Sequence, residues 1–191
     1  MRCFIAIDID ENIRKAFADL EQQMQTRTRG ENINKSDVKW VRPEHVHITL
    51  KFLGEVKDKQ ISEVCNIVGE LAKQSKGFEL DMESVGHFGG KSARVLWVGT
   101  GEGGEELHLL AEAIDERLSL AGWPKETREF SGHLTLCRIR NTLAGFKLAQ
   151  MGKEYEGFKL GAVSVDSLSV YQSELTPSGP NYTVLVKYEL Q

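Results

Sequence analysis

Cysteine is scarce in this chain. Only Cys3, Cys65 and Cys137 occur among 191 residues, and none forms a Cys-x-x-Cys pair. So few scattered thiols give neither a disulfide framework nor a thiolate zinc site, which makes a reducing, cytoplasmic setting the expectation. Positive charge is also in the minority, with 24 Lys and Arg against 28 Asp and Glu and a formal net charge of −4. An acidic body does not hold duplex DNA through its overall field, although a locally basic cleft remains possible. Long apolar runs are missing as well. No window approaches the length of a membrane span, so no membrane partner is expected. The opening Met1-Arg2-Cys3-Phe4-Ile5-Ala6-Ile7-Asp8 is too short for a signal peptide and is interrupted at once by acids.

What the chain does have is a doubled motif. His47-Ile48-Thr49-Leu50-Lys51-Phe52-Leu53-Gly54 is echoed by His133-Leu134-Thr135-Leu136-Cys137-Arg138. In a β-strand alternate side chains share a face, so His and Thr at i and i+2 point the same way while the flanking Ile or Leu points into a core. An imidazole can give or take a proton near neutral pH, and a Thr hydroxyl can donate to an anionic oxygen. Two facing copies would make a phosphate site with an acid and a base. A single His-x-Thr in a strand is usually a half-exposed pair without chemistry; two copies with matching apolar flanks are harder to assign to chance.

The remaining pattern surrounds these strands. Residues 3–9 form an apolar strand, with Asp8, Asp10 and Asn12 offering a helix cap. Ile13, Phe17, Leu20 and Met24 then recur on one helical face over 11–28. Pro43 interrupts the chain before the first motif strand at 46–53, on which His47, Thr49 and Lys51 share a face. Asp58 can cap a helix whose apolar period lasts until Gly77. Residues 78–83 alternate as a half-buried strand that extends to 88, and 93–98 is a further strand. Gly99, Gly101, Gly103 and Gly104 open a helix but lack the Lys-Ser/Thr of a P-loop, which makes them a turn. The second motif strand spans 132–139, a short helix 143–151, a long strand 158–171, a turn 176–180 and a last strand 182–190.

Helix, motif strand, helix, strand and strand thus occur over about 11–98 and again over 105–190. The expected architecture is α+β, a single bilobal domain over 1–191 with interleaved lobes, antiparallel-rich sheets, outer helices and a central cleft lined by the motif strands. Lys51, Arg138, Arg140 and Lys147 lie near the motifs, and Lys51 and Lys147 read as solvated. Arg138, five residues after its His, falls on the opposite face of an ideal strand, so a bulge or strand end is needed if it is to reach a phosphate, and a structural salt bridge stays open as its alternative role. His45 is read as a surface residue beside the Pro43 turn, and His87 and His108 as structural or exposed.

With Arg2-x-Phe4-Ile5-Ala6-Ile7, Trp40-Val41-x-Pro43-Glu44, both His-x-Thr-Leu segments, Arg94-Val95-Leu96-Trp97-Val98-Gly99 and Gly179-Pro180-x-Tyr182 in view, the chain resembles the 2H phosphoesterases. Within them it is similar to the RNA 2′,3′-cyclic phosphodiesterases, also described as 2′-5′ RNA ligases. The resemblance implies hydrolysis of a terminal 2′,3′-cyclic phosphate to a 2′-phosphate without metal or cofactor, on RNA ends or small nucleotides. It implies His47 as proton donor and His133 as proton acceptor, with Thr49, Thr135 and Arg138 on the phosphate and a weak reverse ligation. A monomer is expected. Gly132, where the family often has Pro, is expected to loosen the lead-in to the second motif strand. A module that holds a nucleotide phosphate without turnover stays open as the alternative. A zinc hydrolase fits poorly, since neither motif offers a third ligand at metal-ligand spacing.

Overall fold

The computed structural model describes residues 1–177 and 179–191; Ser178, within the expected turn at 176–180, lies outside them. In chain order the elements are β1 (Arg2–Asp8), α1 (Glu11–Gly30), β2 (Val38–Trp40), β3 (His47–Glu55), α2 (Asp58–Gln74), β4 (Phe78–Phe88) and β5 (Val95–Thr100). They continue with α3 (Gly104–Leu120), β6 (Leu134–Ile139), α4 (Thr142–Lys153), β7 (Lys159–Val165), β8 (Ser167–Thr176) and β9 (Gly179–Glu189). Both sheets are antiparallel, one ordered β3-β1-β8-β9 and the other β2-β6-β5-β4-β7, and the architecture is α+β as expected.

The helices form where apolar period and caps coincide. In α1 the expected stripe Ile13, Phe17, Leu20 and Met24 is buried, and the Asp10 carboxylate accepts the Ile13 N–H at 2.9 Å, satisfying one of the orphan donors of the first turn. The start of α2 departs from expectation. Lys57, not Asp58, occupies the capping position, and Gln60 reaches back to its N–H, leaving Asp58 inside the first turn where its charge suits the helix dipole.

The expected single strand over 158–171 is two strands in different sheets. β7 pairs with β4, whereas β8 pairs with β1 and β9. The break falls at Asp166, whose carboxylate accepts the Ser167 hydroxyl and whose carbonyl accepts the Leu190 N–H. Alternation along the sequence could not reveal this, because β8 begins with four consecutive buried residues, Ser167 to Val170, as an inner strand covered on both faces does. The sheets consequently exchange strands between the halves of the chain. β8 and β9 complete the sheet of the first motif strand, β3; β4 and β5 complete that of the second, β6.

One buried titratable group stands apart from the motif residues. Glu21 of α1 is 6% exposed, accepts a bond from Gln25, and leaves Oε2 without a partner among the described residues. Burial pushes its carboxyl up to about 7 against an ordinary 4.5, despite the Gln25 bond pulling the other way. The folded state therefore holds this proton better than the unfolded one, and Glu21 favours folding at low pH and loses that contribution as pH rises from 4.5 to about 7. At pH 8 the penalty is at most about 3 kcal/mol. Glu21→Gln should raise the urea midpoint at pH 8 relative to the parent protein and leave it nearly unchanged at pH 4.5. Equal shifts at both pH values would mean the carboxyl is not protonated in the fold.

Candidate active site

β3 and β6 carry their motifs in matching distortions. Across β1 and β3 the register runs Ile5 to Lys51 and then Ala6 to Thr49, skipping Leu50; across β5 and β6 it runs Leu96 to Cys137 and then Trp97 to Thr135, skipping Leu136. Each motif Leu is thus the extra residue of a β-bulge. The bulge reverses the side-chain alternation, so the residue five places after each His returns to the face of the His and Thr. Arg138 gains the cleft in this way, by the bulge and not by a strand end, and its counterpart on β3 is the exposed Phe52. The same bulge corrects the expectation for Lys51. It does not share the face of His47 and Thr49 but turns inward, buried against Asp115.

His47, Thr49, His133, Thr135 and Arg138 all line one cleft of about 930 Å³, together with His45, Phe52, Arg128 and Tyr182. The two imidazoles are held alike. Nδ1 of His47 lies 2.9 Å from the His45 carbonyl, and Nδ1 of His133 lies 2.7 Å from the Ser131 carbonyl. A carbonyl only accepts, so each Nδ1 carries the hydrogen and each Nε2 is left for the cleft. His45 is therefore not a simple surface residue. It is half-buried, supplies that carbonyl, and sets its own ring edge-on to Tyr182 at 5.3 Å. Of the other histidines, His87 bonds the Gly90 carbonyl in a turn and His108 pairs with Glu112 along α3.

Aromatic rings wall both imidazoles. His47 stacks on Phe4 at 4.7 Å, Tyr171 stacks on Phe4 at 5.0 Å and lies 6.0 Å from His47, and Tyr182 stands edge-on to His47 at 5.3 Å. His133 meets the edge of Phe88 at 5.1 Å and lies 6.2 Å from Trp97. Trp97 can lie there because Gly86 is beneath it; a Cβ at that position would come within 2.1 Å of the indole. Gly132 likewise sits tightly against Leu107, where a Cβ would approach to 2.4 Å, so the lead-in to β6 is closely packed rather than loose.

This apolar surround depresses both imidazoles. Desolvation brings His47 down to about 4, opposed by its backbone bond and by the Asp8 charge, with His45 and Arg14 lowering it further. His133 is lowered chiefly by desolvation too, against the pull of its bond to Ser131, and the positive charge of Arg138 adds to the lowering. The carboxylate near His47 is well anchored. Asp8 is opposite His47 in the register of β1 and β3, and accepts hydrogen bonds from the Tyr171 and Ser169 hydroxyls. Phe4, Asp8, Phe88, Trp97, Tyr171 and Tyr182 carry no motif spacing. Only Phe4, Trp97 and Tyr182 fell within segments noted for the family resemblance; Asp8 was read only as a candidate helix cap, and none of the six had a place in the site assigned from sequence.

The LigT-like phosphoesterase family model matches residues 7–97 and again residues 98–182, one match around each motif strand. The chain belongs to the LigT-like phosphoesterase family. An RNA 2′,3′-cyclic phosphodiesterase of Methanothermobacter thermautotrophicus is 30% identical, over all of this chain and 99% of its own length. That of Methanocaldococcus jannaschii is 33% identical, over 98% of this chain and all of its own. Among solved structures, a Thermus thermophilus protein superposes with a TM-score of 0.79 at 26% identity, covering 100% of this chain and 98% of that one. Escherichia coli LigT, crystallised with 3′-AMP, gives 0.76 at 24% identity over 99% of this chain and 97% of its own, a likeness of fold. Within this LigT-like chain, no helix is long and apolar enough to cross a membrane among the described residues.

Proposed function

We propose that this phosphoesterase hydrolyses the terminal 2′,3′-cyclic phosphate of RNA to a 2′-phosphate by acid–base catalysis between His47 and His133. The observation that carries the reading is one cleft lined by both imidazoles, each fixed in the same tautomer by a carbonyl two residues back and accompanied by a Thr from its own strand. Relatives named as RNA 2′,3′-cyclic phosphodiesterases supply the substrate class.

In this reading His133 Nε2 takes a proton from water as the water oxygen bonds to phosphorus. The bond from phosphorus to the ribose 3′ oxygen breaks, and His47 Nε2–H protonates that leaving oxygen. Thr49, Thr135 and Arg138 donate to the charge gathering on the non-bridging oxygens. The charges beside each imidazole support this division. At His47 the Asp8 charge favours an imidazolium, as a proton donor requires, against the lowering by His45 and Arg14, whereas at His133 the Arg138 charge disfavours one, as an acceptor requires. With a 5′ hydroxyl in place of water, His133 takes the hydroxyl proton, the bond from phosphorus to the 3′ oxygen breaks as before, and the product is a 2′-5′ diester, a weak ligation whose reversal regenerates the cyclic phosphate.

Incubating the protein with a short RNA ending in a 2′,3′-cyclic phosphate, with and without chelator, tests the reading. Turnover to the 2′-phosphate, undiminished by chelator, is expected. A 3′-phosphate product would mean the 2′ oxygen leaves instead, and tight binding without turnover would favour a phosphate-binding module. Thr49→Ala or Thr135→Ala removes one bond to a charged oxygen, worth about 1.5–3 kcal/mol, so kcat/KM should fall roughly ten- to hundredfold. Full activity in both Thr variants would remove the hydroxyls from the mechanism.

A further inference from the structure

Lys51 stands two residues beyond Thr49 on β3, yet the Leu50 bulge sends its side chain into the interior, where it is 5% exposed. Its ammonium donates to the Asp115 carboxylate of α3 and to the Pro124 carbonyl at 3.0 Å. Asp115, itself only 14% exposed, accepts the Glu126 N–H at 3.1 Å. Burial opposes ionisation of Asp115, but the Lys51 bond, the Glu126 N–H and the Lys125 charge together hold its carboxyl below the usual range. A buried ion pair stabilises little by itself, because desolvation offsets the attraction; breaking one partner is what harms a fold. The placement of this pair therefore calls for another explanation.

Pro124 and Glu126 belong to the stretch 121–133, which has no helix or strand and runs directly into β6. That stretch supplies Arg128, Phe130 and Ser131 to the cleft, and the Ser131 carbonyl fixes the tautomer of His133. Regular backbone pairing cannot hold it in place. Trp123 N–H bonds Leu118 at its start and Gly132 packs on Leu107 at its end; Lys51 and Asp115 grip it between them.

We infer that the Lys51–Asp115 pair is a positioning device, tying the strand that bears His47 to the stretch that delivers Ser131 and His133, and so fixing one imidazole relative to the other. The inference rests on the two-histidine reading above. Proton transfer on both sides of one phosphorus is sensitive to such spacing, since a misplacement of about 1 Å can lower a rate about a hundredfold.

The test replaces both charges by apolar groups of similar volume, Lys51→Met with Asp115→Leu, because either apolar change alone leaves a buried charge with no side-chain partner. The double variant should melt cooperatively, show faster amide exchange over 125–131, and turn over a cyclic-phosphate RNA at least about tenfold more slowly at nearly unchanged KM. A folded double variant with the parent kcat, or one that loses substrate affinity alone, overturns the inference. If the double variant does not melt cooperatively, Asp115→Asn keeps the shape and an acceptor; a severalfold lower kcat at unchanged KM supports the device, and an unchanged kcat overturns it. His133→Ala separates the two proposals. Were that variant fully active, the two-histidine reading would fail; were it inactive beside a fully active pair variant, only the positioning role would.

Discussion

Replacing either motif imidazole should nearly abolish turnover while nucleotide binding persists. A positioned proton donor or acceptor contributes roughly a hundred- to ten-thousand-fold, so His47→Ala and His133→Ala are each expected to lower kcat by that range. The double variant should be little worse than either single one, because both proton transfers serve one displacement and residues acting as a unit are not additive. Single-turnover kinetics on a cyclic-phosphate RNA, with separate measurement of 2′-nucleotide binding, checks both statements. His45 lines the same cleft and supplies a backbone carbonyl to His47. His45→Ala retains that carbonyl and should stay within about tenfold of the parent, well short of the loss expected for a proton-transfer residue. If it proved as damaging as His47→Ala, the catalytic pair would be misassigned.

Substrate binding should take up a proton. In the unliganded cleft His47 is depressed to about 4, so near neutral pH it is uncharged and has no proton on Nε2 to give. An anionic phosphate beside it favours the imidazolium, which raises its pKa in the complex. The sign follows from linkage. Between about 4 and the pKa of the complex, the bound state holds the proton and the free state does not, so affinity falls by up to about tenfold for each pH unit gained. Below that window both states are protonated and above it neither is, so affinity levels off. The His133→Ala variant, which should bind cyclic-phosphate RNA without consuming it, allows the measurement; adding His47→Gln should flatten the dependence. Rate should follow a bell whose limbs belong to the pair, with its peak between mildly acidic and neutral pH. Pairwise calorimetry in buffers of different ionisation enthalpy that detects no proton uptake would remove His47 as the donor.

Much of the site could be read along the chain because its chemistry repeats. His-x-Thr-Leu occurs twice, period two places both side chains on one strand face, and the need for either a bulge or a strand end at Arg138 followed from counting residues. Lys51 shows where counting stopped. The Leu50 bulge that no residue pattern announced reversed its direction and turned a residue expected in solvent into a buried partner of Asp115. The carbonyls that set the tautomers belong to His45 and Ser131, whose backbone roles leave no trace in side-chain identity.

Sequence by itself determined the local chemistry of this protein: which residues are imidazoles and hydroxyls, which strands carry them, and that two such strands exist. These follow from short-range periodicity and side-chain identity, which the chain carries wherever it folds. Tertiary structure alone decided that the strand broken at Asp166 sends β7 to one sheet and β8 to the other. It also decided that Phe4, Tyr171 and Tyr182 desolvate His47 while Phe88 and Trp97 flank His133, and that Asp8 and Arg138 lend the two imidazoles opposite charges. The physical reason is range. Burial and electrostatic fields depend on which distant segments come within a few ångströms, and strand exchange between the halves sets those distances.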